Sequence, residues 1–171
     1  MKRLLARGRL AALVVVLVSS LLTSASAGTR LDDSTSPRSR VEVARVLSER
    51  GQLLENDLYA RYAVLRVGQV DYRLAMAAYV GQQVKIYYVI PPHINGLLSP
   101  DALKVSWSAG NDIAGGFAHA GDRVLVWSGL SDAAWKLVTL DLTIQVELEK
   151  LHQDANTYFG IEPYFEVEIM L

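Results

Sequence analysis

Between Lys136 and Leu148 the chain reads KLVTLDLTIQVEL, and its apolar residues fall on every second position. Val138, Leu140, Leu142, Ile144, Val146 and Leu148 share one side, and Thr139, Asp141, Thr143, Gln145 and Glu147 share the other. Side chains alternate across a strand but rotate around a helix. A period of two therefore predicts a strand with one face on a core and one in water. The same period returns at the C-terminus, where Phe165, Val167, Ile169 and Leu171 oppose Tyr164, Glu166, Glu168 and Met170. It returns over 103–109, where Leu103, Val105 and Trp107 point inward, and over 84–90, where Val84, Ile86, Tyr88 and Ile90 do. Arg123–Ser128 and Tyr72–Tyr79 read as further strands. In the former, Val124 and Val126 face the core and Trp127 faces away.

Turn formers punctuate these runs: Gly81, Pro91-Pro92, Asn95-Gly96, Gly110-Asn111-Asp112, Gly115-Gly116, Gly121-Asp122 and Gly129. Residues 113–121 read as a tight glycine-rich connection. Residues 40–68 fit either period, and Gly51 argues against one long helix; two strands are expected there, around Val41 and Val43 and around Tyr62, Val64 and Arg66. Many short strands with such punctuation predict an all-β, antiparallel β-sandwich. Trp107 on a central strand resembles the core tryptophan of immunoglobulin-type sandwiches, and the resemblance implies an immunoglobulin-like architecture; the cysteine pair that accompanies it in that family is absent.

The N-terminus obeys a different rule. Lys2, Arg3, Arg7 and Arg9 precede an apolar run from Leu10 to Leu22, followed by Ala25-Ser26-Ala27. That order predicts a signal peptide over 1–27, cleaved between Ala27 and Gly28. Residues 28–40 (GTRLDDSTSPRSR) lack periodicity and read as a flexible tether, leaving 41–171 as one domain. Loss of the four leader cations from 17 Lys and Arg leaves the chain mildly acidic against 18 Asp and Glu, so no nucleic-acid or anionic-lipid partner is expected. With no cysteine there is no thiol chemistry, no thiolate metal site and no acylated cysteine for a lipid anchor. The expected location is extracytoplasmic, periplasmic or secreted, in a bacterial envelope.

Catalytic patterns are missing. There is no G-x-S-x-G elbow, no H-E-x-x-H, no G-x-G-x-x-G and no glycine-rich loop followed by G-K-[ST]. His93, His119 and His152 have no partner at mechanistic spacing, and His93 follows two prolines that end a strand. Asn111, Asp112, Asp122 and Asp132 suit turns before they suit calcium. Glu147, Glu149, Glu166 and Glu168 read as one acidic, solvated sheet face. Neither a cofactor nor a metal is expected. The reading is a non-enzymatic binding or assembly module that uses sheet edges or loops, with the C-terminal strand as the suspected edge and another envelope protein as partner. A glycan-binding or glycan-cleaving sandwich using Trp127 and Trp135 is the alternative, and a small outer-membrane barrel is a third.

Overall fold

A computed structural model describes residues 28–36, 45–110, 112–152 and 159–170. The chain is all-β and forms two antiparallel sheets. Its strands are β1 (Thr29–Arg30), β2 (Leu47–Ser48), β3 (Tyr62–Ala75), β4 (Gln83–Val89), β5 (Leu103–Ala109), β6 (Gly116–His119), β7 (Arg123–Leu130), β8 (Trp135–Glu147) and β9 (Tyr164–Ile169). The first sheet has the order β1-β9-β4-β7 and the second β2-β3-β8-β5-β6. Among the described residues no ladder joins the two sheets, so the strands stack as a sandwich and do not close into one barrel.

The core lies where the alternating faces meet. Val84, Ile86, Tyr88, Phe165 and Val167 from the first sheet and Leu103, Val105, Trp107, Val138, Leu140 and Val146 from the second are all buried. Rings cross the interface: Tyr72 packs edge-on against Phe165 at 4.9 Å, and Tyr88 against Trp107 at 5.1 Å. Such offset contacts add to the burial of apolar area. Among the described residues the buried Tyr88 hydroxyl has no hydrogen-bond partner. Ile144 is only half-buried, and Ile169 is 44% exposed at the open end of β9.

Several expectations are corrected by pairing that the sequence pattern does not encode. Residues 28–36 are no tether: β1 pairs with β9, Leu31 is 3% exposed, and the Leu31 N–H donates to the Phe165 carbonyl. Asp32 then accepts from the Ala75 N–H and the Ser36 hydroxyl accepts from the Arg73 N–H, so the segment straps the first sheet to β3 of the second. The strands expected around Tyr62 and from Tyr72 are one, β3; Gly68 does not break it but hosts a bulge at φ +79°, with Val67 as the extra residue between the Arg66↔Thr143 and Gly68↔Leu142 pairs. Residues 77–79 form a 3-10 turn, not the end of a strand. Val41 and Val43 lie outside the described residues; within 45–61 the strand is the two-residue β2 instead.

The 113–121 connection contains a strand, β6, paired with β5. Its glycines admit a close approach: a Cβ on Gly116 would stand 3.2 Å from the Trp107 ring, and the Trp107 indole donates to the Ala114 carbonyl at 2.9 Å. Trp127 faces the core side, not outward. A bulge in β7 skips Val126 and pairs Trp127 with the inward Ile86, which reverses the side that simple alternation predicts. Finally, the C-terminal strand is not a free edge. β9 lies between β4 and β1, although β1 covers only its middle.

Candidate binding groove

Ile90 is fully buried, and its backbone still pairs: its N–H donates to the Asp122 carbonyl and its carbonyl accepts from Gly121. Pro91 and Pro92 have no N–H to give, so the ladder stops and the chain leaves the sheet. It turns at Ile94–Leu97, closed by Leu97 N–H to the Ile94 carbonyl at 3.2 Å, with Gly96 at φ +86°. That positive φ suits glycine, and the backbone of Phe159 lies 3.4 Å from where a Cβ would go.

The loop is then laced down. His152 N–H donates to the Gly96 carbonyl, Leu98 N–H donates to the Lys150 carbonyl, and bridges join Asn95 to Gly160 and Leu97 to Leu151. Lys150 clamps the far end by ion pairs to Asp101 at 2.8 Å and Glu147 at 2.9 Å. The Lys150 ammonium, helped by the Ser99 hydroxyl, lowers the Asp101 carboxyl to about 2. Lys150 is correspondingly raised, chiefly by Asp101.

Between this loop and residues 160–164 lies an open groove of about 830 Å³. Ile94, Leu97 and Ile161 form its apolar floor, packed on the core. His93, Asn95, Glu162 and Arg30 line its exposed rim together with Leu98, which is 58% exposed. The Arg30 guanidinium lies 4.6 Å over the Tyr164 ring, which holds a cation at the mouth. Ile94 and Leu97 thus cover the end of the core, whereas Leu98 turns to solvent. Arg30, Glu162 and Tyr164 carry no local motif. Arg30 reaches the loop through the β1–β9 pairing, and Glu162 and Tyr164 through the β4–β9 ladder and the Asn95–Gly160 bridge.

The remaining candidates disperse. His119 is held by its Nδ1 against the Leu103 carbonyl at 2.8 Å, and its backbone N–H is capped by Asp122 at 2.7 Å. His152 is exposed beside the groove loop. Asp112 accepts from the Trp127 indole at 3.0 Å and from Lys136 at 2.6 Å, and Lys136 also lies 4.2 Å over the Trp127 ring. Lys136, hydrogen-bonded to it, holds the Asp112 carboxyl below its usual range. Asp132 is exposed, and Asn111 lies outside the described residues. Among the described residues no three His, Asp or Glu side chains gather as a metal site would require.

The two tryptophans do not form one platform. Trp127 is half-buried in that clasp on the first sheet, and Trp135 is 40% exposed on the second, with Arg73 4.5 Å over its ring. The four glutamates do not share a face either: Glu147 ends β8 and Glu149 sits in the 3-10 turn that follows it, whereas Glu166 and Glu168 stand on β9, both paired with Arg123. Comparison with protein-family models, curated proteins and solved structures finds no match.

Proposed function

We propose that the chain is an extracytoplasmic, non-enzymatic binding module, an immunoglobulin-like sandwich that takes an extended segment of another envelope protein in the groove between residues 91–100 and 160–164. The carrying observation is the groove itself: about 830 Å³, with an apolar floor fixed to the core and a rim laced in place before any ligand arrives. Its size lies in the usual range for a ligand cleft, roughly 300–1,000 Å³. The apolar floor gives burial to side chains of a bound segment. Arg30, Asn95 and Glu162 supply polar groups of both signs for its backbone and charges. A pre-formed rim lowers the ordering cost of association. The leader pattern read over 1–27 supports a setting outside the cytoplasm, where an envelope partner would meet the module.

The test is a photo-crosslinking residue at position 98, compared with one at position 137 on the outer face of β8. Leu98 and Leu137 are 58% and 71% exposed, so accessibility alone does not favour the groove. The expected result is a discrete protein adduct from position 98, lost when Ile94 is replaced by Asp, and none from position 137. Equal labelling from both positions, or no adduct from 98, counts against a groove-bound partner. A glycan-binding role would instead rest on exposed aromatic rings, Trp135 first among them. It predicts that Trp135→Ala abolishes retention on a glycan and that Ile94→Asp does not.

A further inference from the structure

The expected cleavage point and the first strand are separated by a single residue. Gly28 is followed at once by β1, whose backbone pairs with β9 and whose neighbour Leu31 enters the core. No linker stands between leader and fold. The Gly28 backbone also lies against an ion-pair cluster: a Cβ built on it would stand 2.6 Å from the Glu166 Oε2 and 2.7 Å from the Arg123 Nη2. A side chain at that position would meet the ends of these two flexible side chains, which would have to shift to admit it.

The cluster is short of positive charge. Arg123 donates through Nε to Glu166 at 2.8 Å and through Nη2 to Glu168 at 3.1 Å, so one guanidinium serves two carboxylates. All three side chains are about a third exposed or less. Tyr87, Lys85 and Arg30 face the same group. Tyr87 lies beneath the Arg123 guanidinium at 3.4 Å, Lys85 is the cross-strand partner of Glu168, and Arg30 is that of Glu166. Arg30 is turned onto Tyr164, and among the described residues neither it nor Lys85 forms an ion pair with either glutamate.

We propose that cleavage after Ala27 creates a structural cation: the new α-ammonium of Gly28 docks on the Glu166 carboxylate and locks β1 onto the edge of the first sheet. The step is hydrolysis by a leader peptidase. Water adds across the Ala27–Gly28 peptide bond, Ala27 leaves with a carboxylate, and the Gly28 nitrogen becomes an ammonium by taking a proton. Before cleavage the same nitrogen is a neutral amide and offers no charge. Removal of the leader therefore does more than free the chain; it supplies the second cation of the cluster. The proposal rests on the extracytoplasmic reading above.

The full chain is to be expressed with its leader in a secretory host, and the first residue of the exported protein read from its intact mass. Its α-amine is then acetylated selectively, which removes the charge. The expected result is a fall in Tm on the order of 3 °C and faster hydrogen exchange at the Leu31 amide, with neither change in Glu166→Gln. In untreated protein the α-ammonium should titrate above its usual range of roughly 7.7–8.0. A raised value means that the stabilisation is present below the unfolded value and is lost as pH rises through the folded one. If Glu166→Gln does not fold, Gly28→Ala serves: it keeps the ammonium but crowds the carboxylate, and the acetylation effect should shrink. A protein that begins at Gly28 yet shows the same Tm with and without acetylation overturns the proposal alone. A different first residue overturns the proposal and the predicted leader boundary together.

Discussion

Strand β8 and the strap at residues 28–36 bury side chains in the same core, yet only one of them announces it. In β8 each second residue points inward over the whole strand, and Val138, Leu140, Leu142 and Val146 are all buried. The strap has one such residue, Leu31, in a setting of Thr, Arg, Asp and Ser. It is held instead by backbone bonds to Phe165 and Ala75 and by the Ser36 hydroxyl. Repetition marks a strand that carries its own pattern; a short strand that borrows its register from a neighbour leaves almost no trace.

The largest effect is expected where the repetition is densest. Leu140 is fully buried at the centre of β8, and Leu140→Ala should cost about 2–5 kcal/mol, read as a lower denaturation midpoint. Ile144→Ala, four residues on and half-buried, should cost less. Equal losses would mean that the second half of β8 packs as tightly as the first. Leu31→Ala comes next, at about 2–3 kcal/mol for a nearly fully buried leucine in a thin strap. A loss near zero by the same denaturation would return residues 28–36 to a tether and erase the comparison.

The elements that period two reveals are β4, β5, β8 and β9, since their inward residues meet one core and their outward ones meet water. Bulges defeat the rule. One extra residue, Val67, lets β3 run on through Gly68 and joins two expected strands into one, and another, Val126, turns Trp127 to the core side. β6 is hidden because its one glycine, Gly116, lies against the Trp107 ring and does not make a loop. The groove was half legible. Pro91-Pro92 and Asn95-Gly96 mark its loop, but Arg30 joins it only through the pairing of β1 with β9, and Glu162 and Tyr164 through the β4–β9 ladder and the Asn95–Gly160 bridge.

A smaller effect of opposite sign is expected in the shared core. Burial pushes the Tyr72 phenol up and the Tyr88 phenol well above the usual range. Among the described residues the buried Tyr88 hydroxyl has no hydrogen-bond partner, and the Tyr72 ring lies beside it. Tyr88→Phe keeps the ring contacts with Trp107 and Phe165 and removes only that group. It should leave stability unchanged or raise it by up to about 1 kcal/mol, measured as the shift in denaturation midpoint. A clear loss would mean that the hydroxyl is bonded in solution, with Tyr72 the nearest candidate.

The smallest global effect, and the most local, belongs to the groove loop. Asp101 is held at about 2 by Lys150 and Ser99, below its ordinary value near 3.8. A carboxyl depressed on folding stabilises above its unfolded value and loses that contribution as pH falls through the folded one. Between about pH 4 and 2 the Asp101–Lys150 pair should therefore weaken while the core stays shut. The pair is solvent-exposed, so the global midpoint should scarcely move. What should move is the loop: hydrogen exchange at Leu98, whose amide bonds the Lys150 carbonyl, should quicken relative to a β8 amide over that window. Asp101→Asn should bring the faster exchange already at neutral pH and flatten its acid dependence. If Leu98 and β8 respond together at every pH, the loop is not a separately held unit, and the groove opens only when the sandwich does.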